Sequence, residues 1–193
     1  MADFQIAQRV LGGFEGGYSN DPSDKGGETY KGIARKFHPQ WPGWAIIDAA
    51  KRLSSFPGNL AGNTGLDGMV LDFYRAEFWS PFQLDALPQS LATEIYEQAV
   101  NRGKGGVTMD IQAACNALNY DKKTRAPFFP DLKVDGGYGS KTAQAVKTLV
   151  ANGDELMLLV MLNGLQAAHY INTAAGEPSQ RKFTRGWLTR CSL

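Results

Sequence analysis

Glu15, Asp24 and Thr29 are the residues of this sequence whose types and spacing fit chemistry on a sugar bond, Asp24 nine residues after Glu15 and Thr29 five beyond it. Glu15 stands in "GFEGGY", where an amphipathic helix is expected to end. The negative end of a helix dipole disfavours a carboxylate, and Phe14 and Tyr18 add apolar surroundings that also raise a carboxyl pKa. A carboxylic acid held protonated near neutrality is what glycosidic cleavage requires, because the departing sugar oxygen must receive a proton. Gly16 and Gly17 leave room beside it for a bulky substrate. The plainer reading of "EGG" is an ordinary helix end with an exposed glutamate.

Asp24 suits the second role. If the segment after Glu15 folds back over the helix end, the two carboxyls face each other across a cleft. A separation of roughly 6.5–9.5 Å leaves space for a water molecule and belongs to inverting glycosidases. Asp24 would orient or deprotonate that water, and the Thr29 hydroxyl would be a further ligand to it. Asp21 and Glu28 compete for the same task, and turn chemistry is the alternative for each, most of all for Asp21 before Pro22.

The elements that must hold these residues are mostly helices. Phe4, Ala7, Val10, Leu11 and Phe14 recur at helical spacing, ahead of the glycines. Tyr18 and "TYKGI" have strand character around turn formers, which predicts a short irregular β-hairpin. Further helices are expected over "GWAIIDAAKRLSSFPG", closed by Pro57-Gly58, and over "LDGMVLDFYRAEFW", with Leu66, Met69, Phe73 and Tyr74 on one side. Others are expected over "PQSLATEIYEQAVN", opened by Pro88, and, after a glycine-rich break at 102–106, over "VTMDIQAACNALN", where Ile111, Cys115 and Leu118 share a face. Ser140 is a candidate N-cap for "KTAQAVKTLVAN", and Asn152 with Glu155 a capping-box-like pair before "DELMLLVMLNGLQAAHYINTAA". The expected class is mostly α with a small N-terminal β-hairpin.

The chain has 193 residues, 43% apolar and 20% charged, enough to bury a sizeable core. A net charge of +1 gives no support to nucleic-acid binding. Cys115 and Cys191 suggest neither a disulfide framework nor a metal motif, and two reduced thiols are expected. His38 and His169 lack ligand-like spacing, so no metal site is expected. Asp3 and Arg9 interrupt the opening, so no signal peptide is expected, and "LMLLVML" at 156–162 reads as a buried helix, far short of the roughly 20 residues of a membrane span. No membrane insertion is expected. Synthesis in the cytoplasm would then require another export route to the periplasm or cell wall, and opening of the inner membrane by a holin is one that fits. Of Trp41, Trp44, Trp79 and Trp187, roughly one is expected to stack on sugar and the others to fill the core. Asn101 ends its helix and is suited either to hydrogen bonding an N-acetyl or peptide group, or to supporting the glycine-rich turn. Arg181, Lys182, Arg185 and Arg190 make a basic end that would meet an anionic polymer or simply face water.

"EGGYSNDPSDKGGETYKGI" resembles the signature of glycoside hydrolase family 108, N-acetylmuramidases that include proteins described as secretion activators. The resemblance implies a lysozyme-like helical fold, Glu15 as catalytic acid, no cofactor, and substrate contacts from the same motif, at Tyr18 and Gly32. The order Glu15, Asp24, Thr29 also resembles the active-site triad of phage lysozymes. "ETYKGI" departs from the more usual Thr-x-Tyr-Gly-Ile by placing Lys31 between Tyr30 and Gly32. "AVNRGKGGV", "DIQAACNAL", "VDGGYGSKT" and "KFTRGWLTR" resemble the predicted peptidoglycan-binding domain that accompanies this family. Residues 1–90 would then be a lysozyme-like catalytic region and 91–193 a helical peptidoglycan-binding region, with Asn101 in the latter. The implied activity is hydrolysis of the β-1,4 bond between N-acetylmuramic acid and N-acetylglucosamine. A lytic transglycosylase, which needs the glutamate alone, and a non-catalytic wall-binding accessory for secretion are the alternatives.

Overall fold

A computed structural model describes residues 1–12, 17–21 and 27–191. Among them are eight α-helices and one three-stranded antiparallel sheet, so the mostly α expectation is met. The chain divides into two compact units, Gln8–Ser80 and Met1–Ala7 with Pro81–Leu193.

The Gln8–Ser80 unit carries the sheet. Strands β1 (Tyr18–Asn20), β2 (Glu28–Tyr30) and β3 (Ile33–Ala34) lie in that order, Tyr18 opposite Tyr30 and Tyr30 opposite Ile33. The expected hairpin therefore gains a third strand. Its cause is a two-residue turn, Lys31-Gly32, with φ of 45° and 80°. Positive φ at both central residues matches the right-handed twist of the flanking strands. Glycine adopts it freely, whereas a lysine does so at a cost of about 1–2 kcal/mol. A side chain at position 32 would also strike the Tyr74 hydroxyl, 2.5 Å from an added Cβ.

The first helix, expected to run on to Gly16 and Gly17, stops sooner. Helix α1 (Phe4–Val10) ends in a turn at Gly12 (φ 88°), whose N–H bonds Arg9 O, and Val10 is exposed instead of belonging to the buried stripe. Helix α2 (Gly43–Ala50) also stops short of Pro57, because Asn59 Nδ2 takes the carbonyl of Ala50 at 3.1 Å and the chain turns away. Asn63 caps α3 (Thr64–Tyr74) by accepting from Leu66 N, and Leu66, Val70 and Tyr74 form its buried face at i, i+4, i+8. Met69 and Phe73 are only half-buried. Tyr30, Ile33, Trp41, Trp44 and Ile47 complete this core.

The second unit is helical: α4 (Gln89–Arg102), α5 (Lys104–Leu118), α6 (Ser140–Ala151), α7 (Glu155–Gly176) and α8 (Thr184–Leu188). The glycine-rich break shrinks to one residue, Gly103 (φ 82°), since Gly105 and Gly106 lie within α5. Ser140 is inside α6 and makes no capping bond; Asn152 bonds Asp154 at 2.7 Å instead of pairing with Glu155. Helix α7 is not buried all round. Leu158, Leu162, Gln166, Tyr170 and Ala174 face inward, while Leu156, Met157 and Val160 are exposed. Among the described residues no helix is long and apolar enough to cross a membrane.

Three amides, Gln112 and Asn116 on α5 and Asn119 at its C-terminal cap, hold the connection to α6. Asn116 exchanges two bonds with Leu132, Asn119 two with Phe129, and Gln112 accepts from the N–H groups of Asp135 and Gly136 and donates to Gly137 O. Each amide acts as a substitute peptide group, so partly buried backbone groups in a long loop have protein partners. The same economy ties down the C-terminal segment, where Arg190 Nη1 bonds Asn101 Oδ1 at 2.7 Å and Trp187 stacks on Tyr170.

Candidate active site

A pocket of about 340 Å³ opens in the Gln8–Ser80 unit, within the size range of about 300–1,000 Å³ usual for ligand sites. Tyr18 comes to it from β1 and Gly17 from just before it, Tyr30 and Lys31 from β2 and its turn, Pro57, Leu60, Ala61 and Gly62 from the segment before α3, and Asp67 from α3 itself. The turn is fixed on three sides: Lys31 N donates to Gly17 O at 3.1 Å, the Tyr74 hydroxyl donates to Lys31 O at 3.0 Å, and Lys31 Nζ lies 2.6 Å from Asp67 Oδ1.

Tyr18 is braced from below. Its ring meets Phe56 edge-on at 4.6 Å and carries Lys51 Nζ 5.6 Å from its centroid. Burial and the neighbouring Glu28 carboxylate hold its hydroxyl above the ordinary range, so it stays protonated. Glu28 itself is committed to Lys51 at 2.5 Å and Arg35 at 3.1 Å, and Arg35 is forked onto Asp48 at 2.6 and 2.7 Å. Burial pulls the Glu28 carboxyl upward, but the hydrogen bonds from Lys51 and Arg35 outweigh it and leave the group below its usual range. A carboxylate so neutralised is a poor base for water, which counts against Glu28 as one of the two competitors of Asp24.

The other candidates fall in different places. Glu15 and Asp24 lie outside the described residues. Thr29 is half-buried in the middle of β2, opposite Ser19, and does not line the pocket. Gly32 serves the turn and the close approach of Tyr74. Asp21 is exposed. Asn101 belongs to the helical unit, where its amide donates to Glu97 O and Glu97 Oε1 and accepts from Arg190, all three groups being used internally. Trp41, Trp44 and Trp79 are buried and none lines the pocket; of the two tyrosines that do, Tyr18 is half-buried and Tyr30 is buried in the core, so Tyr18 offers the aromatic surface. Lys31 was visible in the sequence as a departure from a motif, but as a change of local geometry only. Asp67 gave no signal, since its pairing partner is 36 residues away.

Residues 8–103 match the model of a family described as Glycosyl hydrolase 108, and residues 111–192 match one described as Predicted Peptidoglycan domain. A solved structure described as that of Brucella abortus SagA superposes with a TM-score of 0.58 at 22% identity, covering 97% of this chain and 88% of that one, which is a likeness of fold. No curated protein matches.

Proposed function

We propose that this chain, which belongs to the glycosyl hydrolase 108 family and carries a predicted peptidoglycan domain behind it, hydrolyses the β-1,4 bond between N-acetylmuramic acid and N-acetylglucosamine. The observation that carries the reading is the pocket walled by Gly17, Tyr18, Tyr30 and Lys31, residues of the same motif that contains Glu15. The half-buried Tyr18 ring and an ion pair suit a sugar, which offers apolar ring faces and hydroxyl edges.

In this mechanism Glu15 gives its proton to the O4 of the departing N-acetylglucosamine as the C1–O4 bond breaks. A water oxygen bonds to C1, and Asp24 takes the water's proton; transfer through solvent then restores both carboxyl groups. Thr29 is the proposed second ligand of that water. The region 91–193 adds affinity by holding the catalytic region on an insoluble polymer, which raises the effective concentration of bonds to cut. The protein acts in the periplasm or at the cell wall. The test is clearing of isolated wall suspensions by the wild type and by Glu15→Gln. Clearing by the wild type and its loss in a folded Glu15→Gln variant are expected. Retention of more than about a tenth of the activity would remove Glu15 as acid, whose role is worth about 10²–10⁴-fold.

A further inference from the structure

We propose that Lys31, aimed by Asp67, is the residue by which this pocket prefers a carboxylate-bearing glycan to a neutral one. The inference rests on the glycan-cleaving reading above and concerns the same pocket. A two-residue turn with φ of 45° and 80° calls for asparagine, aspartate or glycine at its first position, so the turn itself does not account for lysine. Strained side chains of this kind gather where a ligand must be met.

The ammonium group keeps donors for a ligand oxygen beyond its bond to Asp67. Among the described residues that line the pocket Lys31 is the single cation and Asp67 the single anion. Asp67 Oδ1 accepts from Nζ at 2.6 Å, and the Tyr30 ring lies 5.8 Å from it. An ammonium group has three donors, of which Asp67 takes one, and the remaining two are available to a ligand oxygen. The Lys31 side chain is 24% exposed, so its charge is partly shielded from water and partly open to the pocket. The carboxylates of the proposed substrate are of two kinds, the lactyl group of muramic acid and the stem peptide. A neutral β-1,4 polymer of N-acetylglucosamine has neither.

Calorimetry on the full chain bearing Glu15→Gln tests this with three probes of equal length: chitotetraose, the peptide-free muramic acid tetrasaccharide, and the same tetrasaccharide with its stem peptides. Both charged probes, or the peptide-bearing one alone if the peptide is the source, are expected to bind at least about tenfold more tightly than chitotetraose, about 1.4 kcal/mol. Lys31→Asn, which suits the turn and should leave Tm unchanged or higher, is expected to erase the preference; Lys31→Arg should keep most of it. Equal binding of all three probes, absence of binding, or an undiminished preference in Lys31→Asn would overturn the proposal. A wild type that shows the preference yet cleaves no wall would refute the hydrolase reading and leave the selectivity standing.

Discussion

In the Gln8–Ser80 unit, Glu28, Arg35, Asp48 and Lys51 form a chain of ion pairs at the edge of the sheet, and the Lys31–Asp67 pair lines a pocket; all six side chains keep part of their surface in water. The helical unit treats its charges differently. Glu94 and Glu97 are buried on α4, Gln98 donates to Glu94 Oε1 at 2.6 Å, Gln166 to Glu97 Oε2 at 2.7 Å, and Arg102 reaches Gln98 at 2.8 Å and Asp110 at 2.5 Å. Charge in the first unit stays in contact with water, and its Lys31–Asp67 pair lies where a ligand can exchange with that water. In the second unit charge cements three helices, α4, α5 and α7, because a buried polar group without its partner costs more than the bond is worth. Changes in the first unit should therefore show in activity, and changes in the second in stability.

The largest effect expected is Glu15→Gln, a loss of about 10²–10⁴-fold in wall lysis with Tm unchanged, read by turbidity and a thermal melt. A large fall in Tm would break the contrast between the units. Next comes Arg102→Ala in the helical unit. Removing one partner of a largely buried pair strands the Asp110 carboxylate and the Gln98 carbonyl, at a cost of about 1–3 kcal/mol by denaturant titration. A cost below about 1 kcal/mol would show that the network is solvated after all.

The third expectation has a pH sign. Burial, with the charge of Glu97 adding to it, pushes the Glu94 carboxyl up to about 7 against the hydrogen bonds of Gln98 and Asn163. The folded state thus holds a proton that the unfolded state releases near 4.5, and stability falls as pH rises from there through about 7. Glu94→Gln should remove that fall, leaving the variant more stable than the wild type at pH 8, relative to pH 5, by up to about 3 kcal/mol. Parallel Tm–pH curves for the two proteins would contradict it. The smallest effect is Glu28→Gln, about 1 kcal/mol or less because its pairs are partly exposed. Its sign is opposite: a carboxyl held low stabilises above its unfolded pKa, and the contribution is lost as pH falls through the folded value. An acid-side melt of Glu28→Gln that overlays the wild type in shape would refute it.

The sequence made local features legible and distant partnerships illegible. Helix α4 after Pro88, helix α7 and the strand ends at Tyr18 and Tyr30 follow from periodicity and turn formers within a short window. The end of α2 was hidden because its carbonyl partner is Asn59, nine residues on. Gln112, Asn116 and Asn119 look like a solvated polar face until the loop they bind is known. The same holds for Glu94 and Glu97, whose burial depends on Gln98 beside them and on α7. Of the site, the motif led to Tyr18 and the turn, but the burial of three tryptophans left the aromatic role to Tyr18, and Lys31 with Asp67 emerged only from their meeting. Glu15 and Asp24 stand where the sequence left them.

The most direct test of the account is mass spectrometry of peptidoglycan digested by the wild type, with Glu15→Gln and Asp24→Asn alongside. Water attack predicts fragments ending in reducing N-acetylmuramic acid, their release nearly abolished by Glu15→Gln and strongly reduced by Asp24→Asn. Fragments ending in the 1,6-anhydro sugar, formed as readily by Asp24→Asn as by the wild type, would contradict hydrolysis and identify a transglycosylase.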